Sequence, residues 1–373
     1  MVFAHLPASL VEEVLAKAQD LSQALTVALE DNRAARSRYR RRLEEEGLLL
    51  HEASLGWPPA PTTCGVDGSY AIERLLSMDV CLCAAVAVEG LTPPSESRHW
   101  EEPHHRVFMA GEPHSPDTAT VLRSVMVGRE LLLAREAPHD MVFLDMTLTL
   151  PLIYFNQALN LAPRVQELQS AREFLAHAPG YLRAYRDILQ ARRTDKQYVG
   201  IPKYSSQREL GNRLGWASAQ DDRGMMSFLL QAGELTRPLP LQDPDHPWHL
   251  KVPEGEESLG EVVEEILAAV KEIHIMYYRP TPWLPALRVE MPGAVATNRH
   301  RLAVVVQGLK HQCVAPGILE PYPTYMADRM AKAVGPAMPA FRQVITQGVA
   351  QGYQGDLEEV YFAFHGYRTE TGR

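Results

Sequence analysis

The chain has 373 residues, of which 46% are hydrophobic and 22% are charged, and its formal net charge is −9 at pH 7. This length and composition are typical of a globular protein with a substantial core, and they exclude an intrinsically disordered chain. The acidic balance argues against a general nucleic-acid coat protein, because phosphate binders usually carry a basic balance.

The first element is a predicted helical arm. Residues 8–50 carry apolar side chains at helical spacing, which indicates one long or broken helix, and residues 56–61 (GWPPAP) end it. A stripe of arginines within this helix forms either a solvated face or a surface for phosphates or a partner. The stripe consists of Arg33, Arg36, Arg38, Arg40, Arg41 and Arg42.

The next segment predicts the first half of a mixed sheet. Residues 63–70 read as an apolar strand that runs into a tight turn at Asp67, and residues 79–88 and 106–109 read as two further strands. A helix from about residue 118 follows, and then a buried strand that carries Asp145. Three antiparallel strands, a helix and a parallel fourth strand are the beginning of a ribonuclease-H-like α/β fold.

The remainder of the chain predicts alternating helices, strands and one exposed loop. Helices are expected at 151–191, 301–311 and 325–334, strands at 197–201, 272–278 and 287–291, and a polar loop or insertion at 233–257. We therefore expect an arm at 1–60, one α/β domain at 61–345 with a helical and loop insertion around 151–260, and an extension at 346–373 packed on that domain.

Four acids stand in an order that suits a metal centre: Asp67, Glu130, Asp145 and Asp328. Asp145 interrupts a run that otherwise reads as a fully buried strand, and a lone charge there is costly unless a cation compensates it. Glu130 lies at the rim of the apolar stripe of its helix, although Arg129 lies nearer the middle of that stripe. Because Asp67 and Asp145 belong to neighbouring strands, both can reach one edge of the sheet.

Each acid also has an ordinary structural interpretation. Asp67 precedes Gly68 and Ser69, which is a common turn sequence, and Glu130 and Asp328 on helices would usually be solvated. Jointly, the acids favour the hydrolysis of phosphodiesters, since two divalent cations can activate water, neutralise the charge that builds on the phosphate and support the leaving oxygen. Carboxylate oxygens suit Mn²⁺ or Mg²⁺.

Short motifs along the chain together resemble the NurA nuclease family. They are residues 64–70 (CGVDGSY), 143–148 (FLDMTL), 198–205 (YVGIPKYS) and 321–328 (PYPTYMAD). The likeness spans about residues 60 to 340. By position, Asp67 and Asp145 match the metal-binding aspartates of the family, Glu130 its helical acid, and Lys203 the lysine of its Gly-Ile-Ser-Lys-like motif. Pro202 replaces the serine of that motif, and Asp328 stands where many members have histidine.

The resemblance implies a ribonuclease-H-like (Piwi-like) mixed sheet flanked by helices, and a Mn²⁺-dependent DNA end-processing nuclease that forms a homodimer. It also implies docking on the hexameric HerA translocase for 5′-strand resection in recombinational repair. Asp67, Glu130, Asp145 and Asp328 would hold the metal, with Mg²⁺ as a possible substitute. Lys203 would stabilise negative charge on the phosphate or fix the nucleophile. The segment at Arg288 and Glu290 also resembles a family segment, with a role that is positional rather than catalytic.

Two alternatives stay open from the sequence. One is a catalytically silent subunit that binds DNA or a motor, and the other is a different ribonuclease-H-like nuclease that acts on RNA or hybrids. A phosphate-cradling Gly-x-x-x-x-Gly-Lys loop is missing, so we do not expect ATP hydrolysis. The sequence also shows neither a long apolar run nor a secretory signal pattern, so we expect a cytoplasmic protein with reduced cysteines.

Overall fold

The computed structural model describes residues 6–204, 207–216, 221–242, 244, 246–253 and 255–372, so Ser205 of the third motif lies outside it. Its strands are β1 (Leu49–His51), β2 (Thr63–Leu75), β3 (Asp79–Glu89), β4 (His104–Glu112), β5 (Met141–Leu144), β6 (Gln197–Gly200), β7 (Glu234–Thr236), β8 (Leu239–Pro240), β9 (His274–Arg279), β10 (Leu287–Met291) and β11 (Gly366–Gly372). They form one sheet in the order β1-β7-β9-β10-β6-β5-β2-β3-β4, in which β11 pairs with β2 and β8 with β9.

Helices cover the sheet and extend beyond it. They are α1 (Ala8–Glu45), α2 (Thr118–Glu136), α3 (Leu150–Leu161), α4 (Gln169–Gln190), α5 (Glu209–Leu214), α6 (Asp222–Leu229), α7 (Gly260–Lys271), α8 (Gly293–Ala296), α9 (Arg299–Gln312), α10 (Tyr322–Lys332), α11 (Val334–Gly352) and α12 (Leu357–Ala363). Helix α2 packs against α4 and against β2 and β3, and α10 packs on β2.

The predicted first half of the sheet is confirmed. Strand β2 pairs antiparallel with β3, β3 pairs antiparallel with β4, and β5 pairs parallel with β2 after the crossover through α2. Val66, Val125 and Phe143 are fully buried between these elements. The mixed sheet flanked by helices is therefore the fold class expected from the sequence.

The tight turn predicted at Asp67 is wrong. Asp67 and Gly68 lie inside β2, which continues to Leu75, because that part of the strand pairs with β3 on one side and its end pairs with β11 on the other. Two ladders of hydrogen bonds outweigh the turn preference of an Asp-Gly-Ser sequence. The strand predicted to carry Asp145 also ends earlier, at Leu144, so Asp145 is the first residue beyond it.

The loop predicted at 233–257 is partly wrong as well. Its beginning forms β7, which pairs with β1 and β9, and β8, which pairs with β9. The polar residues Glu234 and Thr236 of β7 are buried within the sheet, which a polar composition does not indicate. Asp243, Asp245 and Glu254 of the predicted loop lie outside the described residues. The strand predicted at 287–291 is confirmed.

Helix α1 forms as predicted, but most of its apolar stripe is exposed. The exposed positions include Leu10, Val14, Leu21, Leu25 and Leu29, whereas its buried residues are Tyr39 and Leu43 near its end.

The arginine stripe of α1 divides into two groups. Arg40 donates to both carboxylate oxygens of Glu234, and Arg42 donates to the carbonyl of Leu214. The other four arginines are exposed: Arg33, Arg36, Arg38 and Arg41. Two arginines therefore dock the end of the helix on the rest of the protein.

Beyond α10, the chain returns to the central strand. Helix α11 packs on β2, and β11 pairs with the end of β2, where Gly372 lies opposite Tyr70. The division into an arm, a domain and an extension remains a prediction. Among the described residues, none of the helices combines the length and the apolar character needed to cross a lipid bilayer.

Candidate metal centre

The parallel pairing of β2 and β5 brings Asp67 and Asp145 to one level of the sheet. Val66 lies opposite Leu144 in the register, and the backbone N–H of Asp145 donates to the carbonyl of Val66 at 3.2 Å. The residue after each of these partners is an aspartate. Asp67 and Asp145 are 0% and 1% exposed, so both carboxylates lie within the protein rather than in bulk water.

Gly65 allows helix α10 to approach the same part of the sheet. A Cβ atom at this position would lie 2.4 Å from both the carbonyl carbon of Pro323 and the backbone nitrogen of Thr324. Real side chains do not tolerate such distances to backbone atoms, so glycine is needed where α10 crosses β2. The helix carries Asp328, which is 8% exposed, towards the two aspartates.

Oxygen atoms from the three aspartates lie together. One carboxylate oxygen from each of Asp67, Asp145 and Asp328 falls within 4.8 Å of the other two. Three buried carboxylates at this spacing repel one another unless a positive charge lies among them. An all-oxygen set of ligands is also what hard divalent cations such as Mg²⁺ and Mn²⁺ prefer. The residues therefore fit a divalent metal centre.

Lys203 supplies a positive charge to this cluster. Its Nζ lies 2.8 Å from Oδ2 of Asp145 and 2.7 Å from Oδ1 of Asp328. Burial disfavours the charged amine, but the nearby carboxylates of Asp145, Asp328 and Glu320 outweigh burial and raise the pKa of Lys203 above its usual value. The lysine is therefore a cation at neutral pH.

Two charged residues that contact Lys203 or Asp328 were missed by the sequence analysis. Glu320 lies 3.3 Å from the Nζ of Lys203, and Lys332 lies 2.6 Å from Asp328. Burial raises the pKa of Glu320, while Lys203 and Lys332 hold the pKa of Asp328 below its usual value against the effect of burial. The position of Glu320 directly before the Pro321–Asp328 motif was the available signal in the sequence.

Glu130 is not one of the three acids whose oxygen atoms group within 4.8 Å. It is fully buried on α2, and a Cβ atom on Gly68 would lie 2.3 Å from its Oε1, so its carboxylate sits against β2 one residue from Asp67. Arg129 instead turns aside to pair with Glu173. Glu130, not Arg129, therefore faces the sheet.

Arg288 and Glu290 support the loop that follows Asp145. Oε2 of Glu290 accepts from the backbone N–H of Leu148 at 2.8 Å, and Nε of Arg288 donates to Oε1 of Glu290 at 2.9 Å. Arg288 also makes two 2.8 Å bonds to Glu209 and one to Tyr277. All of these side chains are buried, which favours a positional role for this segment.

These features define an α/β protein whose mixed sheet carries a buried acidic centre suited to a divalent cation. The model of the NurA domain matches residues 61–333, which is most of the chain. The chain therefore belongs to the NurA family. A comparison with curated proteins gives no match.

Solved NurA structures share the fold at low sequence identity. The NurA nuclease from Sulfolobus solfataricus matches with a TM-score of 0.58 and 12% identity over 91% of this chain and 98% of its own. A structure of NurA with manganese matches with a TM-score of 0.55 and 13% identity, covering 88% and 98%. A structure of NurA bound to dAMP and manganese matches with a TM-score of 0.52 and 13% identity, covering 83% and 92%.

Proposed function

We propose that this protein is a Mn²⁺-dependent DNA nuclease. The convergence of Asp67, Asp145 and Asp328 within 4.8 Å, with Lys203 beside two of them, is the observation that carries the proposal. Membership of the NurA family supports it, as do the NurA structures with manganese and with dAMP. Mg²⁺ is a chemically acceptable substitute, because it prefers the same oxygen ligands.

In this proposal, Asp67, Asp145 and Asp328 hold the metal, and Glu130 orients the site from behind β2 or adds a ligand. The cation would supply electrophilic stabilisation of the phosphate and activation of water. Lys203 is placed to hold a phosphate oxygen with its positive charge. Because its amine contacts Asp145 and Asp328, Lys203 would compete with a divalent cation for the same oxygens, and a bound cation would leave the amine available to the substrate.

The wider function follows from the family resemblance. We infer 5′–3′ exonuclease and single-strand endonuclease activity in DNA end resection, as a homodimer working with a HerA-type hexameric translocase. The net charge of −9 fits this dependence, since a motor can deliver DNA that the nuclease alone holds weakly. The exposed arginines of α1 offer one surface for DNA or for the partner. Contacts to backbone phosphates would give little sequence preference and a marked sensitivity to salt.

A cleavage assay tests the site directly. End-labelled single-stranded and duplex DNA would be incubated with Mn²⁺, Mg²⁺ or chelator, using the wild type, Asp67→Asn and Asp145→Asn. We expect cleavage by the wild type with Mn²⁺, none with chelator, and a loss of at least about 100-fold in each variant. Asp195→Asn is the matched control, because Asp195 is an exposed aspartate paired with Arg193 before β6, and it should cleave normally.

Three results would contradict the proposal. Equal cleavage by the wild type and both aspartate variants would remove the acidic cluster from the mechanism. Preferential cleavage of RNA or of RNA–DNA hybrids in a parallel substrate panel would replace the DNA substrate with another ribonuclease-H-like activity. A wild type that binds DNA but cleaves no substrate would indicate a silent binding subunit.

A further inference from the structure

A cavity opens directly beside the acidic cluster. It has a volume of about 570 Å³ and shares Lys203 with the cluster as part of its wall. The other lining residues come from the segment after Lys203, the start of α6 and the connection between β9 and β10: Tyr204, Asp221, Arg223, Gly224, Ser227 and Pro285. This volume lies in the range of cavities that hold small organic ligands, and it suits one nucleotide.

Arg223 gives the cavity a fixed positive charge. Its Nε donates to the carbonyl of Ala286 at 3.0 Å, and its Nη1 donates to the carbonyl of Lys203. These bonds orient the guanidinium without neutralising it, and within the described residues they leave the N–H groups of Nη2 for a ligand. Among the acids that interact electrostatically with Arg223, Asp221 in the wall of the same cavity has the largest effect, followed by Glu320 and Asp145 beside Lys203.

Tyr204 supplies an aromatic surface at the same cavity. It is 91% exposed and directly follows Lys203 in the chain. A tyrosine this exposed contributes little to the core, so burial does not explain its aromatic ring. Nucleobases stack readily on exposed aromatic rings, and guanidinium groups bind phosphates through paired N–H donors.

We propose that this cavity binds one unpaired nucleotide of the DNA strand next to the cleaved phosphate, with its base stacked on Tyr204 and its phosphate held by Arg223. The proposal rests on the proposed nuclease function, because it assigns the neighbouring subsite of the same substrate. A subsite for an unpaired nucleotide requires the strand to leave the duplex stack, and so it favours single-stranded DNA and frayed ends over paired DNA. Lys203, between the cavity and the acids, aligns the strand with the reacting phosphate.

The base contact can be measured by fluorescence. Single-stranded oligonucleotides that carry 2-aminopurine at successive positions would be bound to the full chain in an Asp67→Asn background that suppresses cleavage. Stacking on Tyr204 should quench one position. Tyr204→Ala should abolish that quenching and weaken binding by about 10-fold. Tyr204→Trp should retain it, as should the control Tyr367→Ala, which alters another tyrosine that is 70% exposed.

The phosphate contact can be measured on the substrate. Replacing single phosphates by neutral methylphosphonates should lower kcat/KM of the wild type by about 10-fold or more at the phosphate bound by Arg223. In Arg223→Gln, a methylphosphonate at that same position should not lower kcat/KM any further. The scan on the wild type does not depend on whether Arg223→Gln folds.

The outcomes separate the two proposals. If the wild type cleaves DNA but Tyr204→Ala keeps the quenching profile, or if methylphosphonates have the same effect at every position, the nucleotide subsite is wrong and the nuclease function stands. If the wild type cleaves no DNA, the nuclease function fails. The binding assay then still reports whether a base stacks on Tyr204.

Discussion

Gly65→Ala should damage the metal centre without changing any of its charged groups. The added Cβ would lie 2.4 Å from backbone atoms of Pro323 and Thr324, whereas ordinary contact begins at 3.4 Å, so α10 must move by about 1 Å. Backbone atoms cannot turn aside as a flexible side chain can. We expect a loss of about 1–3 kcal/mol in the free energy of unfolding from overpacking, and about 100-fold slower cleavage because Asp328 moves with the helix.

The assay compares Gly65→Ala with Gly348→Ala. Gly348 lies in α11, and a Cβ atom there has nothing within 4 Å. Alanine should therefore stabilise the control by about 0.5–1 kcal/mol, since it restricts the unfolded chain and favours helix. Urea unfolding, Mn²⁺ titration and DNA cleavage would be measured for both variants. Wild-type cleavage and metal affinity in Gly65→Ala would refute the role given to the close approach of α10.

Further expectations follow from other buried charges. Lys203→Met should tighten Mn²⁺ binding by about 10-fold, because the ammonium group that competes for Asp145 and Asp328 is gone. The same substitution should slow cleavage. Weaker Mn²⁺ binding in a calorimetric titration would contradict this expectation. Arg288→Met should cost about 3–5 kcal/mol in urea unfolding, because it leaves Glu290 buried without its cation, and an unchanged midpoint would exclude such coupling. Burial lowers the pKa of His139 to about 4 despite the nearby Glu89. As the pH falls, the unfolded chain therefore takes up a proton on His139 before the folded chain does. Up to about 3 kcal/mol of the free energy of unfolding should be lost between pH 6.5 and pH 4, and His139→Leu should not show this loss.

The sequence predicted those parts of the fold that depend on local pattern. Strand β10 matches the predicted boundaries, and α2 begins where the sequence places a helix start. The parallel return of β5 to β2 also followed from the order of elements, because a strand, a crossover helix and a further strand have few possible arrangements. Asp67, Asp145 and Asp328 could be chosen on their motifs, and the structure does bring them together.

Long-range contacts set the features that the sequence could not predict. The Asp-Gly-Ser segment at Asp67 reads as a turn on its local composition, whereas in the structure β2 continues through it, paired with β3 on one side and at its end with β11 from the far end of the chain. Glu320 lies at the cluster only because α10 crosses β2 at Gly65. The resemblance supplied Lys203, but its simultaneous contact with Asp145 and Asp328 depends on three separate elements converging.

The contacts of Lys203 also bear on how the protein is assembled. An ammonium group shared by Asp145 and Asp328 neutralises part of the acidic cluster within the polypeptide itself. Small zinc domains differ, because their ligands have no such internal cation and they remain unfolded until the metal arrives. Here the chain can complete its tertiary structure during synthesis with the amine in place. Binding of a divalent cation would then be an event separate from folding.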